Sequence, residues 1–151
     1  MNNIGFIQGR LSPIVNDKIQ AFPWDSWEEE FKIANSLGLK IMEWTLDCDN
    51  LYDNPLMTSS GQKRINELMI KYNISIPSLT GDCFMQQPFF KYTGKKRDKL
   101  ILDLKNIIMA CKNISIKYIV FPLVDNGSVK NSSEEKSLLE GLKMIEKTLI
   151  E

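Results

Sequence analysis

Side chains able to bind an anion, bond a hydroxyl or move a proton collect at the ends of four apolar runs. Ile4 to Gly9 closes in Gln8-Gly9-Arg10, and Leu39 to Leu46 carries Glu43 and ends Thr45-Leu46-Asp47. Ile74 to Thr80 ends Thr80-Gly81-Asp82, and Ile116 to Leu123 runs into Val124-Asp125-Asn126. A guanidinium offers forked donors that match a carboxylate or a phosphate. A glutamine amide donates to and accepts from hydroxyls. The chain has 0 histidines, so an imidazole base is unavailable and Ser-His and Cys-His schemes cannot be built from it. Cys48, Cys83 and Cys111 are odd in number and lack a Cys-x-x-Cys pair, which predicts reduced, partly buried thiols and neither a disulfide framework nor a zinc knuckle.

Glu43 is the most informative of these residues. On a strand it shares a face with Ile41 and Thr45, and a carboxylate without solvent needs a partner. Arg10 is the natural one if sequential strands pair. Two readings of the pair stand: a polar site with Arg10 free for an anionic or polyhydroxyl ligand, or a structural ion pair closing the sheet. Gln8, two residues before Arg10, is expected to face the same way, as a donor to ligand hydroxyls or as a capped strand end. Asp82 and Asp125 fit local turn bonding. Trp24, Trp27 and Trp44 could stack on a sugar, although large aromatics are more often core; Trp24, in the Phe-Pro-Trp loop, is placed nearest a pocket. Gly94 to Lys99, Gly-Lys-Lys-Arg-Asp-Lys, reads as a solvated helix entry.

These groups need strands and helices to position them. Each apolar run is followed by a segment of helical period. The first helix opens on Ser26-Trp27-Glu28-Glu29, a capping box, with Trp27, Phe31, Ala34 and Leu37 on one face and Gly38 as its C-terminal stop. The second carries Ile65, Leu68, Met69 and Tyr72 and ends near Asn73. The third carries Leu100, Leu104, Ile107, Ile108 and Cys111. The fourth opens on Ser132-Ser133-Glu134-Glu135, carries Leu138, Leu142, Ile145 and Leu149, and extends to Glu151. Alternating strands and helices predict an α/β protein with a parallel sheet covered by helices. Strand starts at 4, 39, 74 and 116 recur every 35 to 42 residues, the span of one βα unit. Eight units make a TIM barrel of about 250 residues, so four units over residues 1–151 predict a half-barrel. The alternative is a small doubly wound domain, for which no Gly-x-Gly-x-x-Gly or Gly-x-x-x-x-Gly-Lys phosphate loop occurs.

Lys plus Arg (19) balance Asp plus Glu (19), against the basic excess of a nucleic-acid or membrane-surface binder. An apolar share of 43% with 25% charged residues is that of a soluble globular protein. With no signal-peptide pattern in Met-Asn-Asn-Ile-Gly-Phe and no apolar run of about 18 residues, a cytoplasmic location is expected.

Three stretches carry a resemblance: Gly-Phe-Ile-Gln-Gly-Arg-Leu-Ser-Pro, Ile-Gln-Ala-Phe-Pro-Trp-Asp-Ser-Trp-Glu-Glu-Glu-Phe and Leu-Gly-Leu-Lys-Ile-Met-Glu-Trp-Thr-Leu-Asp. They resemble the N-terminal part of sugar phosphate isomerases and epimerases of the xylose isomerase-like TIM-barrel superfamily. The resemblance implies metal-dependent proton transfer next to the carbonyl of a ketose or ketose phosphate, with a divalent ion (Mn, Mg, Co or Zn) and two glutamates. It implies that the metal ligands come from later strands, so that no metal ligand or catalytic residue is assigned here. Gln8, Arg10, Trp24, Glu43, Trp44 and Asp82 are implied to be substrate-side residues. The implied partner is a small sugar or sugar phosphate, with no nucleic acid and no membrane. The implied truncated half is expected to be inactive alone and open to self-association through its sheet edges. A non-catalytic binding or assembly module is the alternative.

Overall fold

The structure, a computed structural model, describes residues 4–14 and 21–150. Ile19 and Gln20, which begin the Ile-Gln-Ala-Phe-Pro-Trp stretch, and Glu151, the expected end of the fourth helix, lie outside the described residues.

Four strands, β1 (Gly5–Ile7), β2 (Ile41–Leu46), β3 (Ser75–Gly81) and β4 (Tyr118–Val120), pair in parallel in the order β1-β2-β3-β4. The helices are α1 (Trp27–Ser36), α2 (Ser59–Tyr72), a short α3 (Asp82–Gln86) directly after β3, α4 (Gly94–Asn113) and α5 (Ser132–Ile150). The strand and helix alternation read from the sequence is therefore present, with α3 added. The order contains no reversal of the kind that creates the switch point of a doubly wound sheet.

Alternation along β2 separates two environments. Met42, Trp44 and Leu46 are wholly buried, together with Ile76 and Leu79 of β3, in one core with Phe31 and Ala34 of α1, Ile65 and Leu68 of α2, and Leu104 and Ile107 of α4. Ile41, Glu43 and Thr45 point to the opposite face. A bulge sets what they meet: the register moves from Ile41↔Ser75 to Glu43↔Ser78, so β3 carries one residue more than β2 over this span. The extra residue brings Ser78 and Thr80 onto the Glu43 face.

Helix ends depart from the sequence reading in three places. Ser26 makes no side-chain cap, so the first capping box does not form. At α5 the cap is Asn131, whose Oδ1 accepts from Glu134 N at 3.0 Å, while Glu134 Oε2 accepts from Lys130 N at 2.8 Å; the box exists one residue earlier than expected. Leu37, Leu142 and Leu149 are exposed, because Leu37 already lies past α1, and α5 turns Leu138, Gly141 and Ile145 inward instead. Ends at Gly38 (φ +76°) and Asn73 (φ +52°) agree with the expected helix stops. No helix among the described residues is long and apolar enough to cross a membrane.

Candidate functional site

The strand ends place the sequence-predicted polar groups at one end of the sheet, with different partners from those expected. β1 stops at Ile7, and Gly9 turns the chain with φ +90°, a conformation that costs glycine little. A Cβ there would sit 2.7 Å from the Ala21 carbonyl oxygen. The turn is held by a residue that sequence reasoning missed. Gly9 N donates to both carboxylate oxygens of Glu30, at 2.9 and 3.0 Å, and Leu11 N donates to Oε1 at 2.9 Å. Glu30 is completely buried in α1. Burial raises its pKa, and the backbone amides of Gly9 and Leu11 work against that rise.

Gln8 is also fully buried. Its backbone N donates to Glu43 O at 2.9 Å, its Oε1 accepts from Thr45 N at 3.2 Å, and its carbonyl accepts from Thr45 Oγ1 at 3.2 Å. Its Nε2 has no partner among the described residues. A buried amide donor without an acceptor is costly; Ser12 Oγ, in the same turn, is the other buried polar side-chain atom without a partner among the described residues.

Arg10 and Glu43 do not form the expected pair. Ser78 Oγ donates to Glu43 Oε2 at 2.7 Å and Thr80 Oγ1 donates to Oε1. Two hydroxyls of β3 therefore satisfy the carboxylate. Arg10 lies beyond the Gly9 turn, where strand alternation no longer holds, so it does not share the buried side of Gln8. It is exposed, and its guanidinium makes no ion pair among the described residues, whose four salt bridges involve other groups.

The remaining predicted residues separate. Trp44 belongs to the core on the face opposite Glu43; its Nε1 donates to Asn54 Oδ1 at 3.2 Å and its ring lies 5.6 Å from Phe22 and 5.8 Å from Trp27. Trp24, 38% exposed, stands edge-on to Phe22 at 4.8 Å. Asp82 is buried as the first residue of α3. Asp125 is exposed in a 3-10 turn with φ +49°, and its neighbour Asn126 donates to the carbonyls of Met85 and Gln86, both at 3.1 Å. Asp47 links the loops past the strand ends: Oδ2 accepts from Phe22 N at 3.2 Å and Oδ1 from Gln86 Nε2 at 2.7 Å.

A second polar cluster lies beside the β2 end. Tyr52 Oη donates to Asp103 Oδ1 at 2.5 Å, Lys99 Nζ to Oδ2 at 2.8 Å, and Asn106 Nδ2 to Tyr52 Oη at 3.0 Å. These groups border a cleft of about 270 Å³ with Cys48 and Gln87. The Lys99 and Asp103 spacing of four on a helix was a legible signal; Tyr52, from a distant loop, had none.

The implied divalent ion finds no donor set. Among the described residues, no three His, Cys, Asp or Glu side chains converge to hold a metal.

Fold and site together define an α/β protein with a parallel four-stranded sheet whose polar groups gather where the strands end. Compared with known proteins, the chain matches no family model and no curated protein.

Proposed function

We propose that these four βα units form the substrate-side half of a (β/α) barrel of the sugar phosphate isomerase and epimerase type, and that the chain alone binds a ketose phosphate without turning it over. The observation that carries the reading is the pairing of Glu43 with two hydroxyls on the face opposite the core, beside a buried Gln8 amide that has no acceptor of its own. Glu43, Ser78 and Thr80 cluster across β2 and β3, and Gln8, just past β1, is bonded to Thr45 two residues further along β2, toward the strand ends where α/β folds hold small ligands. Gln8 Nε2 donates to a sugar hydroxyl. Arg10, exposed and without an ion pair among the described residues, meets the phosphate. Ser78 and Thr80 hold Glu43 fixed, so that its remaining lone pairs accept from a second hydroxyl. A metal would supply oxygen polarisation in such a reaction, and its ligands are not among these residues.

The test is binding and turnover on the purified 151-residue chain. Titration with a pentulose phosphate should shift the Gln8 side-chain amide resonance, and Arg10→Ala should weaken phosphate binding by about tenfold, the equivalent of one charge-assisted hydrogen bond. A neutral pentulose should be insensitive to that substitution. Metal-dependent epimerisation by the chain alone, or a Gln8 amide that ignores the ligand, would overturn the proposal.

A second reading, an assembly module, is favoured by the exposure of the same sheet face at its edge. Tyr118 and Val120 of β4 are 67% and 44% exposed, and Leu139 and Leu149 of α5 are also open. Exposed apolar residues on an edge strand, and on the helix that follows it, favour self-association. Light scattering that finds a strict monomer which binds no apolar dye would sink it.

A further inference from the structure

Cys48 and Cys83 each lie two residues past the last registered pair of β2 and β3, Leu46↔Gly81. Cys48 follows the end of β2 and Cys83 is the second residue of α3, so the two chain segments leave adjacent strands side by side, and a disulfide needs Cα atoms about 4.4–6.8 Å apart. The Cys48 thiol reaches residue 83 directly: Cys48 Sγ donates to the Cys83 carbonyl at 3.2 Å. Both line the same small cavity, about 20 Å³, walled by Phe84, Phe89 and Leu100. We infer that Cys48 and Cys83 form an intramolecular disulfide under oxidising conditions, fastening the end of β2 to the first turn of α3. The inference does not depend on the sugar phosphate reading.

The step balances with a peroxide as oxidant. The two thiols give up two protons and two electrons, the sulfur-sulfur bond forms, and the oxygen-oxygen bond breaks to yield two molecules of water. A small-molecule disulfide serves equally, leaving as two thiols. The new bond replaces the Cys48 hydrogen bond to the Cys83 carbonyl and ties Asp47 to Asp82 across the strand ends. Burial, then the negative charges of Asp49 and Asp47, push the Cys48 thiol up to about 11, and burial pushes Cys83 up as well. Reaction at neutral pH is therefore slow and quickens with alkalinity, because the thiolate is the attacking species. Cys111, buried in α4 and raised to about 12 by that burial, is outside this cavity.

The folded chain treated with excess hydrogen peroxide or diamide should drop from three titratable thiols to one and lose two hydrogens in mass. Trypsin should then release peptide 41–63 bonded to peptide 72–91, separable by reduction. Cys48→Ser should abolish the link while its circular dichroism stays that of the parent, and Cys111→Ser should leave it intact. Three thiols surviving in the folded chain, or a link that includes Cys111, would overturn the inference.

Discussion

A carboxylate shut away from water, with three amide contacts converging on it, is pulled in two directions. For Glu30 the loss of hydration outweighs the Gly9 and Leu11 amides, and its pKa rises above 4.5. The folded state therefore holds the proton more tightly than the unfolded chain, so stability falls as pH climbs from about 4.5 through the folded-state pKa, and is level above it. Urea midpoints measured across that interval should show the decline in the parent and lose it in Glu30→Gln. Glu30→Ala removes the acceptor from two buried amides and should cost about 2–4 kcal/mol. Gly9→Ala should cost about 1–3 kcal/mol, since the backbone is left-handed there and the new Cβ meets Ala21 O at 2.7 Å. Gln8, Gly9 and Arg10 were legible as the end of a strand, because their types break an apolar run. Glu30 was not: it stands third in Glu28-Glu29-Glu30, where acids in a first helical turn look like solvent-facing dipole partners, and its contacts lie 21 and 19 residues away.

At the scale of elements, strands and helices followed from apolar period, while their joints did not. Ile74 to Thr80 reads as a strand and β3 runs Ser75–Gly81; Pro77 within it marks the bulge, but which residues the bulge turns toward Glu43 depends on pairing with β2 and is not written in the sequence. β4 shrank to Tyr118–Val120, in keeping with Pro122, which has no amide to donate to a ladder. Caps discriminate well. Thr58 Oγ1 accepts from Gly61 N at 3.0 Å at the start of α2, so Thr58→Ala should lower stability by about 1 kcal/mol, and Asn131→Ala by a similar amount. Ser26→Ala should fall within about 0.5 kcal/mol of the parent, because its side chain caps nothing. Thermal melts of the three variants side by side test this contrast directly. Gly141 lets α5 approach Phe89 so closely that a Cβ would sit 2.1 Å from the ring. Gly141→Ala should destabilise by about 1–3 kcal/mol despite the better helix former, since overpacking outweighs propensity.

Over the whole molecule, each strand pairs with the strand that precedes it in the chain. The residues joined by those ladders are therefore separated by about one βα unit and no more, as in Ile7↔Glu43, Leu46↔Gly81 and Thr80↔Val120. No strand must wait for a distant one. Such a sheet can be laid down in the direction of synthesis, each new strand adding to the edge left by the last, with its helix sealing the apolar side before the next arrives. During translation the growing edge is then never more than one unit wide, which limits how much unpaired backbone the ribosome exposes at any moment.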